Sequence, residues 1–159
     1  MIFAIVSILA LSAVCGKLCA RVFEKREKFF MELENMCMFF KNEVGFLNTK
    51  NAVLFEKYEK SYEVENKQIF EEMKEISNES INTCFEKVYF LKKIEKQKLA
   101  EFSKNFGKGD QNSQLANIEI FLQEAKRMHD ESLQKKKQNA PLCYKVCLAI
   151  GSVICVLIL

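Results

Sequence analysis

MIFAIVSILALSAVC, Met1 to Cys15, and VCLAIGSVICVLIL, Val146 to Leu159, are uncharged throughout, and the chain between them is thick with Lys and Glu. A hydrocarbon core about 30 Å thick needs about 20 helical residues at about 1.5 Å each, so both uninterrupted runs are short. The gap closes if Lys17 and Lys145 snorkel toward the headgroups, which extends the spans to Met1–Ala20 and Leu142–Leu159. The reading is a membrane helix over 1–20, a helical domain over 21–140 and a second membrane helix over 141–159. An interfacial or re-entrant lie is the alternative for the last segment.

The first run has no basic residue ahead of it and no clean small-x-small site, so it reads as an anchor rather than a cleaved signal. Orientation follows from the flanks. Lys17, Arg21, Lys25, Arg26 and Lys28 follow the first run, and Lys126, Arg127, Lys135, Lys136, Lys137 and Lys145 precede or enter the second. Cations beside membrane segments favour the cytoplasmic side, which predicts a cytosolic domain and both chain ends outward.

Seven cysteines, an odd number without a C-x-x-C pair, do not read as a disulfide framework. Cys15/Cys19 and Cys143/Cys147 are each four apart and share a helix face. Small side chains that let membrane helices approach closely explain them better than metal ligation does. No metal, cofactor or catalytic residue is expected. The single histidine, His129, has no Cys, Ser or acidic arrangement known to converge on it and reads as a surface or satisfied structural group. Gly107-Lys108-Gly109 lacks the rest of a phosphate-binding loop and reads as a tight turn.

Proline is absent until Pro141 and glycine is sparse, so the domain reads as nearly all helix. Val22–Val44 carries an apolar stripe, Phe29, Leu33, Met36, Cys37 and Phe40, and is expected to grow continuously out of the first membrane helix. Gly45 reads as a left-handed C-terminal cap, with Asn48 or Thr49 starting the next helix. Ala52–Ile76 reads as two short helices, carrying Phe55, Tyr58 and Tyr62, then Ile69, Phe70, Met73 and Ile76. Asn78-Glu79-Ser80 breaks the pattern, and Ile81, Phe85, Val88, Tyr89 and Leu91 resume it before a helix over Ile94–Phe106. With 14 Phe and no Trp, the core must draw its buried area from phenyl rings. Asp110 reads as the N-cap of the last soluble helix, with Leu115, Ile118, Leu122 and Ala125 as its buried seam. Pro141 is placed in the first turn of the second membrane helix, where its missing amide costs little.

Phe106-Gly107-Lys108-Gly109-Asp110, Gln114 and Ile118, then Asn139, Lys145 and Gly151, resemble the stage III sporulation protein AB family. That family has a Leu-Gly-type turn, an Asp-x-x-x-Gln-x-x-x-Ile helix start, a long helix, a Lys-Asn step and a Gly-x-x-x-Gly membrane tail. The spacing from Asp110 to Gly151 fits without gaps, and Cys147 stands in place of the first tail glycine. The resemblance implies a subunit of the channel-like complex joining mother cell and forespore. It implies a soluble domain similar to the cytoplasmic domains of type II secretion platform proteins, and as partners the complex's ATPase and its other membrane subunits. It places the chain in the membrane around the forespore, with the domain in the mother-cell cytoplasm.

Charge distribution adds one candidate surface. Glu56, Glu59, Glu63, Glu65, Glu71, Glu72, Glu75 and Glu79 outnumber the lysines among them, whereas Lys92, Lys93, Lys96, Lys98, Lys104 and Lys108 dominate the following stretch. Glu71, Glu72 and Glu75 are the candidate contacts for a basic cytosolic partner. A net charge of +3 argues against nucleic acid, and the basic stretch reads as facing phospholipid or solvent. The expected function is a non-enzymatic membrane platform, with homo-oligomerisation left open. A two-pass pore former, holin-like, or a helical ligand sensor are the alternatives.

Overall fold

The computed structural model describes residues 2–47, 51–75 and 85–158, and these form five helices and no strand: α1 (Ile2–Leu47), α2 (Asn51–Ser61), α3 (Lys67–Glu75), α4 (Lys93–Asn105) and α5 (Gln111–Ile158). The fold is all-α, in keeping with the sparse glycine and single proline of the sequence. The expected start at Asn48 or Thr49, the contribution of Ile76, the break at Asn78-Glu79-Ser80 and the role of Ile81 lie outside the described residues. The chain divides into two compact units, one made of Met1–Lys28 and Asp130–Leu159, the other of Phe29–His129.

In the first unit the apolar start of α1 lies antiparallel to the apolar end of α5. Four levels fix the pairing. Cys155 Sγ sits 3.8 Å from the Ile5 carbonyl oxygen. A Cβ placed on Gly151 would lie 2.7 Å from Ser12 Cβ, and one placed on Gly16 would lie 3.1 Å from Tyr144 Cα. Farther along, Lys136 Nζ meets Glu27 Oε2 at 2.8 Å. Glycine is required at the two middle levels, Gly151 and Gly16, because the partner helix occupies the space of a side chain. The hydroxyls of Ser7, Ser12 and Ser152 donate to carbonyls one turn back in their own helices, so they leave no unpaired polar group on an apolar surface.

Both long helices contain an 18-residue window apolar enough to cross a bilayer, with mean hydropathies of 1.8 and 2.0. Only 6% and 11% of those windows are buried, so they are not the core helices of a water-soluble bundle. Phe3, Leu11, Val153, Val156 and Leu157 point outward, an apolar exterior that a bilayer satisfies and water does not. These are the features of membrane association.

The second unit is built around the far half of α1. Phe29, Phe30, Leu33, Met36, Cys37, Phe40 and Val44 follow helical spacing and are all buried. Against them pack Leu54, Phe55 and Tyr58 of α2, Ile69, Phe70 and Met73 of α3, Leu99 and Phe102 of α4, and Ile118, Phe121, Ala125 and Met128 of α5. Phenyl rings interlock at the centre. Phe40 meets Phe55 edge to face at 4.9 Å and stacks on Phe106 at 5.0 Å, while Phe102 stacks on Phe121 at 3.9 Å. Each such pair adds about 0.5–1.5 kcal/mol beyond the area it buries.

Three expectations are corrected. Gly45 is an ordinary helical residue inside α1 and not a left-handed cap. The exposed carbonyls of the last turn are capped from outside, because Gln111 Nε2 donates to Val44 O at 2.8 Å and to Gly45 O at 3.4 Å. Phe85 to Leu91 does not resume a helix. Phe85 has φ of 62°, its N–H donates to Glu72 Oε2 at 3.2 Å, and Val88 N–H turns back to Phe85 O. Phe85, Val88 and Leu91 are buried from a turn, where three-residue spacing also returns side chains to one side, and Tyr89 is exposed. Pro141 lies inside α5 instead of starting a new helix. The proline forfeits one backbone bond, at a cost of about 3 kcal/mol, but a break would strand a whole turn of N–H and C=O groups at each new end.

Phe40→Ala is expected to destabilise the second unit by about 3–5 kcal/mol. Ile94→Ala, at a side chain 62% exposed, should stay within about 0.5 kcal/mol. Denaturant titration of the full chain in detergent, followed by the near-ultraviolet signal of its tyrosines, measures both.

Candidate functional site

Two regions of the second unit hold sequence-derived site residues. The first is the α4–α5 turn. Gly107 and Gly109 have φ of 84° and 89°, where a side chain strains the backbone, and a Cβ on Gly109 would also lie 3.2 Å from Ser113 Cβ. Asp110 follows as the N-cap. Its Oδ1 accepts from Ser113 N–H at 3.2 Å and from the Ser113 hydroxyl, and its carbonyl accepts from Gln114 N–H at 3.0 Å. The Gln114 side chain reaches back to Gly109 O at 3.3 Å, and Ile118, one turn farther on, is fully buried. The run from Gly107 to Ile118 is thus a device for reversing the chain and starting a helix.

The hydrogen bond from the Ser113 hydroxyl, and then that from the Ser113 amide, hold the Asp110 carboxyl below its ordinary 3.8. The group titrates lower in the folded chain than in the unfolded one. Its contribution is therefore complete above the unfolded value and disappears as pH falls through the folded one.

The second region is the acidic surface of α2 and α3. Glu71 is exposed and so are Glu56, Glu63 and Glu65, while Glu59 is half-buried. Glu72 is half-buried and occupied, since it accepts the Phe85 amide. Glu75 ends α3, and its side chain lies outside the described residues, as does Glu79. Lys74 Nζ meets Glu56 at 3.2 Å, so the surface is mixed at that edge. Glu71 and Glu72 are thus one turn of the same helix with different jobs.

What fixes this surface in place was not legible in the sequence. Glu32, on α1 and only 8% exposed, accepts from Glu65 N–H at 2.9 Å, Asn66 N–H at 3.3 Å and Asn66 Nδ2 at 2.9 Å. Tyr58 Oη donates to the Glu32 carbonyl at 2.9 Å, and burial, then the Glu32 charge, push the phenol above its ordinary range. One buried carboxylate thereby clamps the α2–α3 connection to α1. Glu32 sits 33 and 34 residues from its partners, and no local pattern announces such a contact.

His129 is engaged as well, with Nδ1 2.7 Å from Glu34 Oε2, both side chains mostly buried. Burial, and then the charge of Glu34, push the Cys37 thiol up, which makes it a packing group and a poor nucleophile. Among the described residues no group of three or more His, Cys, Asp or Glu is placed to hold a metal ion.

In the first unit Lys17 and Lys145 are exposed beside the apolar windows. Gly151 is buried and faces Ser12, and Cys147, which replaces the other glycine of the expected tail pattern, lies against Gly16 of α1. A Cβ built on Gly16 would be 3.3 Å from Cys147 Cβ. The small residue missing from α5 is supplied by the facing helix.

Two outcomes are expected at the turn. Gly109→Ala should cost about 1–3 kcal/mol, the usual penalty for a side chain at a backbone conformation of this kind. Asp110→Asn keeps an N-cap oxygen but removes the titration, so wild type should lose stability relative to this variant as pH drops below about 4. Denaturation midpoints recorded from neutral to acidic pH test it, and parallel curves would contradict the assignment.

A family model described as stage III sporulation protein AB matches residues 1–159, the entire sequence. No curated protein and no solved structure matches the chain. The two apolar helices, the glycine turn and capped helix start, and the glycine contact in the tail all lie inside the matched region, and the chain belongs to the stage III sporulation protein AB family of sporulation proteins.

Proposed function

We propose that this protein is a non-enzymatic membrane platform of the sporulation channel complex. In this reading its helical unit sits in the mother-cell cytoplasm, at the membrane around the forespore, and docks the complex's ATPase. The observation that carries the reading is the continuity of α1 and α5. Each helix runs unbroken from an apolar window into the phenylalanine core, so one folded unit is joined to the membrane by two helices. Such a double attachment suits a part that must receive a soluble partner without being pulled from the bilayer. The basic residues beside both windows favour the cytoplasmic side.

The docking surface is the exposed acidic stretch that runs from α2 through the α2–α3 connection into α3 and includes Glu63, Glu65 and Glu71. It recognises a basic surface of the ATPase through charge, which speeds encounter and makes capture salt-dependent. Glu72 supports this surface from below through its bond to the Phe85 amide, so its reversal would disturb the fold as well as the charge. The remaining membrane subunits and lipid are the other partners in this reading, and no nucleic acid takes part.

Charge reversal at Glu71 and Glu75, with Glu72 left intact, should lower recovery of the ATPase about tenfold when the tagged protein is captured from sporulating cells in mild detergent. Insertion into the membrane fraction should be unchanged. Undiminished recovery would remove the acidic surface, and absence of the ATPase from wild-type captures would remove the platform reading itself.

A further inference from the structure

The charge of the first unit is gathered where its two helices leave the apolar windows. The unit of Met1–Lys28 and Asp130–Leu159 holds nine cations and four carboxylates, a surplus of five, although the whole chain has a surplus of only three. Both chain ends are uncharged, so all nine cations fall in the short segments Lys17–Lys28 and Lys135–Lys145. The carboxylates are Glu24, Glu27, Asp130 and Glu131, and of these Glu27 is buried against Lys136.

On α1, Lys17, Arg21, Lys25 and Lys28 follow one another at steps of four, four and three residues, which sets them along one face, and all four are exposed. On α5, Lys137 and Lys145 are exposed and stand about two turns apart. The contact of Gly16 with Tyr144 brings Lys17 and Lys145 to one level of the helix pair, since each adjoins one of the two residues in contact. The ion pair of Lys136 with Glu27 fixes the other end of the band, beside Lys137. At about 1.5 Å per residue, Arg21 stands about 6 Å beyond Lys17, and Lys25 about 6 Å beyond Arg21. The headgroups add about 5–8 Å to each side of the hydrocarbon core. With the apolar windows in a bilayer, Lys17 and Lys145 lie at the hydrocarbon edge, Arg21 among the headgroups and Lys25 at their aqueous face. A cation therefore meets the headgroup layer at each height.

Lipid is the occupant that fits, because exposed apolar side chains stand among these cations. Leu18 and Val22 adjoin Lys17 and Arg21, and Leu142 and Val146 lie on either side of Lys145 in sequence. A phospholipid brings an anionic head and apolar chains to one place, which an acidic protein surface does not. Tyr144, exposed at the same level, adds a ring of the kind that settles among headgroups.

We propose that this band of α1 and α5 is a recognition surface for phospholipids of net negative charge. The Arg21 guanidinium binds a headgroup phosphate through two N–H donors, and the lysines act on it as point charges. A zwitterionic lipid carries the same phosphate together with an ammonium group that the band repels, so the surface discriminates by net charge. The inference shares with the proposed function only the bilayer placement of the apolar windows, and it needs no ATPase.

The test reconstitutes the full-length protein into phosphatidylcholine vesicles holding a trace of chain spin-labelled phosphatidylglycerol or phosphatidylcholine. Electron paramagnetic resonance reads the fraction of label immobilised at the protein surface. At low salt the anionic label should be preferred about fivefold, the weight of one cation at a membrane surface. The preference should vanish at about 1 M salt, where the screening length is about 3 Å. Lys17→Gln/Arg21→Gln/Lys137→Gln/Lys145→Gln should reduce it to less than about twofold. Lys92→Gln/Lys93→Gln/Lys104→Gln/Lys108→Gln removes the same charge from exposed positions of the second unit and should leave it intact. Equal immobilisation of the two labels by wild type, a preference unchanged in the first variant, or the same loss in both variants would each overturn the proposal. If the first variant fails to insert, Arg21→Gln/Lys137→Gln keeps the boundary lysines and should still lower the preference, and no reduction there counts against the band. Equal immobilisation by an inserted protein leaves ATPase capture untouched, and failure of that capture leaves the lipid preference untouched.

Discussion

Every backbone N–H and C=O in an apolar environment must find its partner inside the chain, and that requirement governs α1 and α5. Within a helix the bonds are local, so the same element can leave an apolar surrounding and enter a packed, aqueous domain without rearranging. It is cheaper to carry Pro141 inside an unbroken α5 than to expose two sets of helix ends beside an apolar window. Where the long helices do end, in the second unit, other parts of the chain receive them. Gln111 covers the terminal carbonyls of α1, and Asp110 covers the first amides of α5.

The core that these helices support is modest in size and depends on shape. Phe40 contacts Phe39, Phe55, Tyr58 and Phe106, so α1, α2 and the end of α4 meet on one ring. Two carboxylates, one buried and one half-buried, then select one arrangement of the short helices. Glu32 accepts three N–H bonds from the α2–α3 connection, and Glu72 accepts the amide of Phe85 at a backbone turn with positive φ. Removing such an acceptor strips partly buried donors of their partner, a loss that water makes good only in part. The surface ion pairs Lys41–Glu119, Lys57–Glu43 and Lys98–Glu124 add little by comparison, because water screens them.

The turn that carries the family pattern illustrates how a motif can be structural. Gly107, Gly109, Asp110 and Ile118 were legible in the sequence, because each meets a local requirement of turn, cap or buried face, whereas Gln114 stood out only through the family resemblance. The acidic surface was legible only as an excess of charge. Nothing in the spacing of Glu71 and Glu72 says that one faces solvent and the other holds a neighbouring segment, since that depends on where Phe85 arrives.

The sequence by itself determined the apolar windows, the helical class, the stripe from Phe29 to Phe40 and the capped start at Asp110. These depend on composition, period and neighbours within one helical turn. Tertiary structure decided which side chains meet across the chain: Glu32 with the α2–α3 connection, Glu34 with His129, Gly16 with Tyr144 and Cys147, and Gly151 with Ser12. It also decided that Phe85 to Leu91 would be a turn and Pro141 the interior of a helix. In each case the deciding energy comes from groups distant in sequence, whose approach is set by packing and hydrogen-bond satisfaction and leaves no trace in local periodicity.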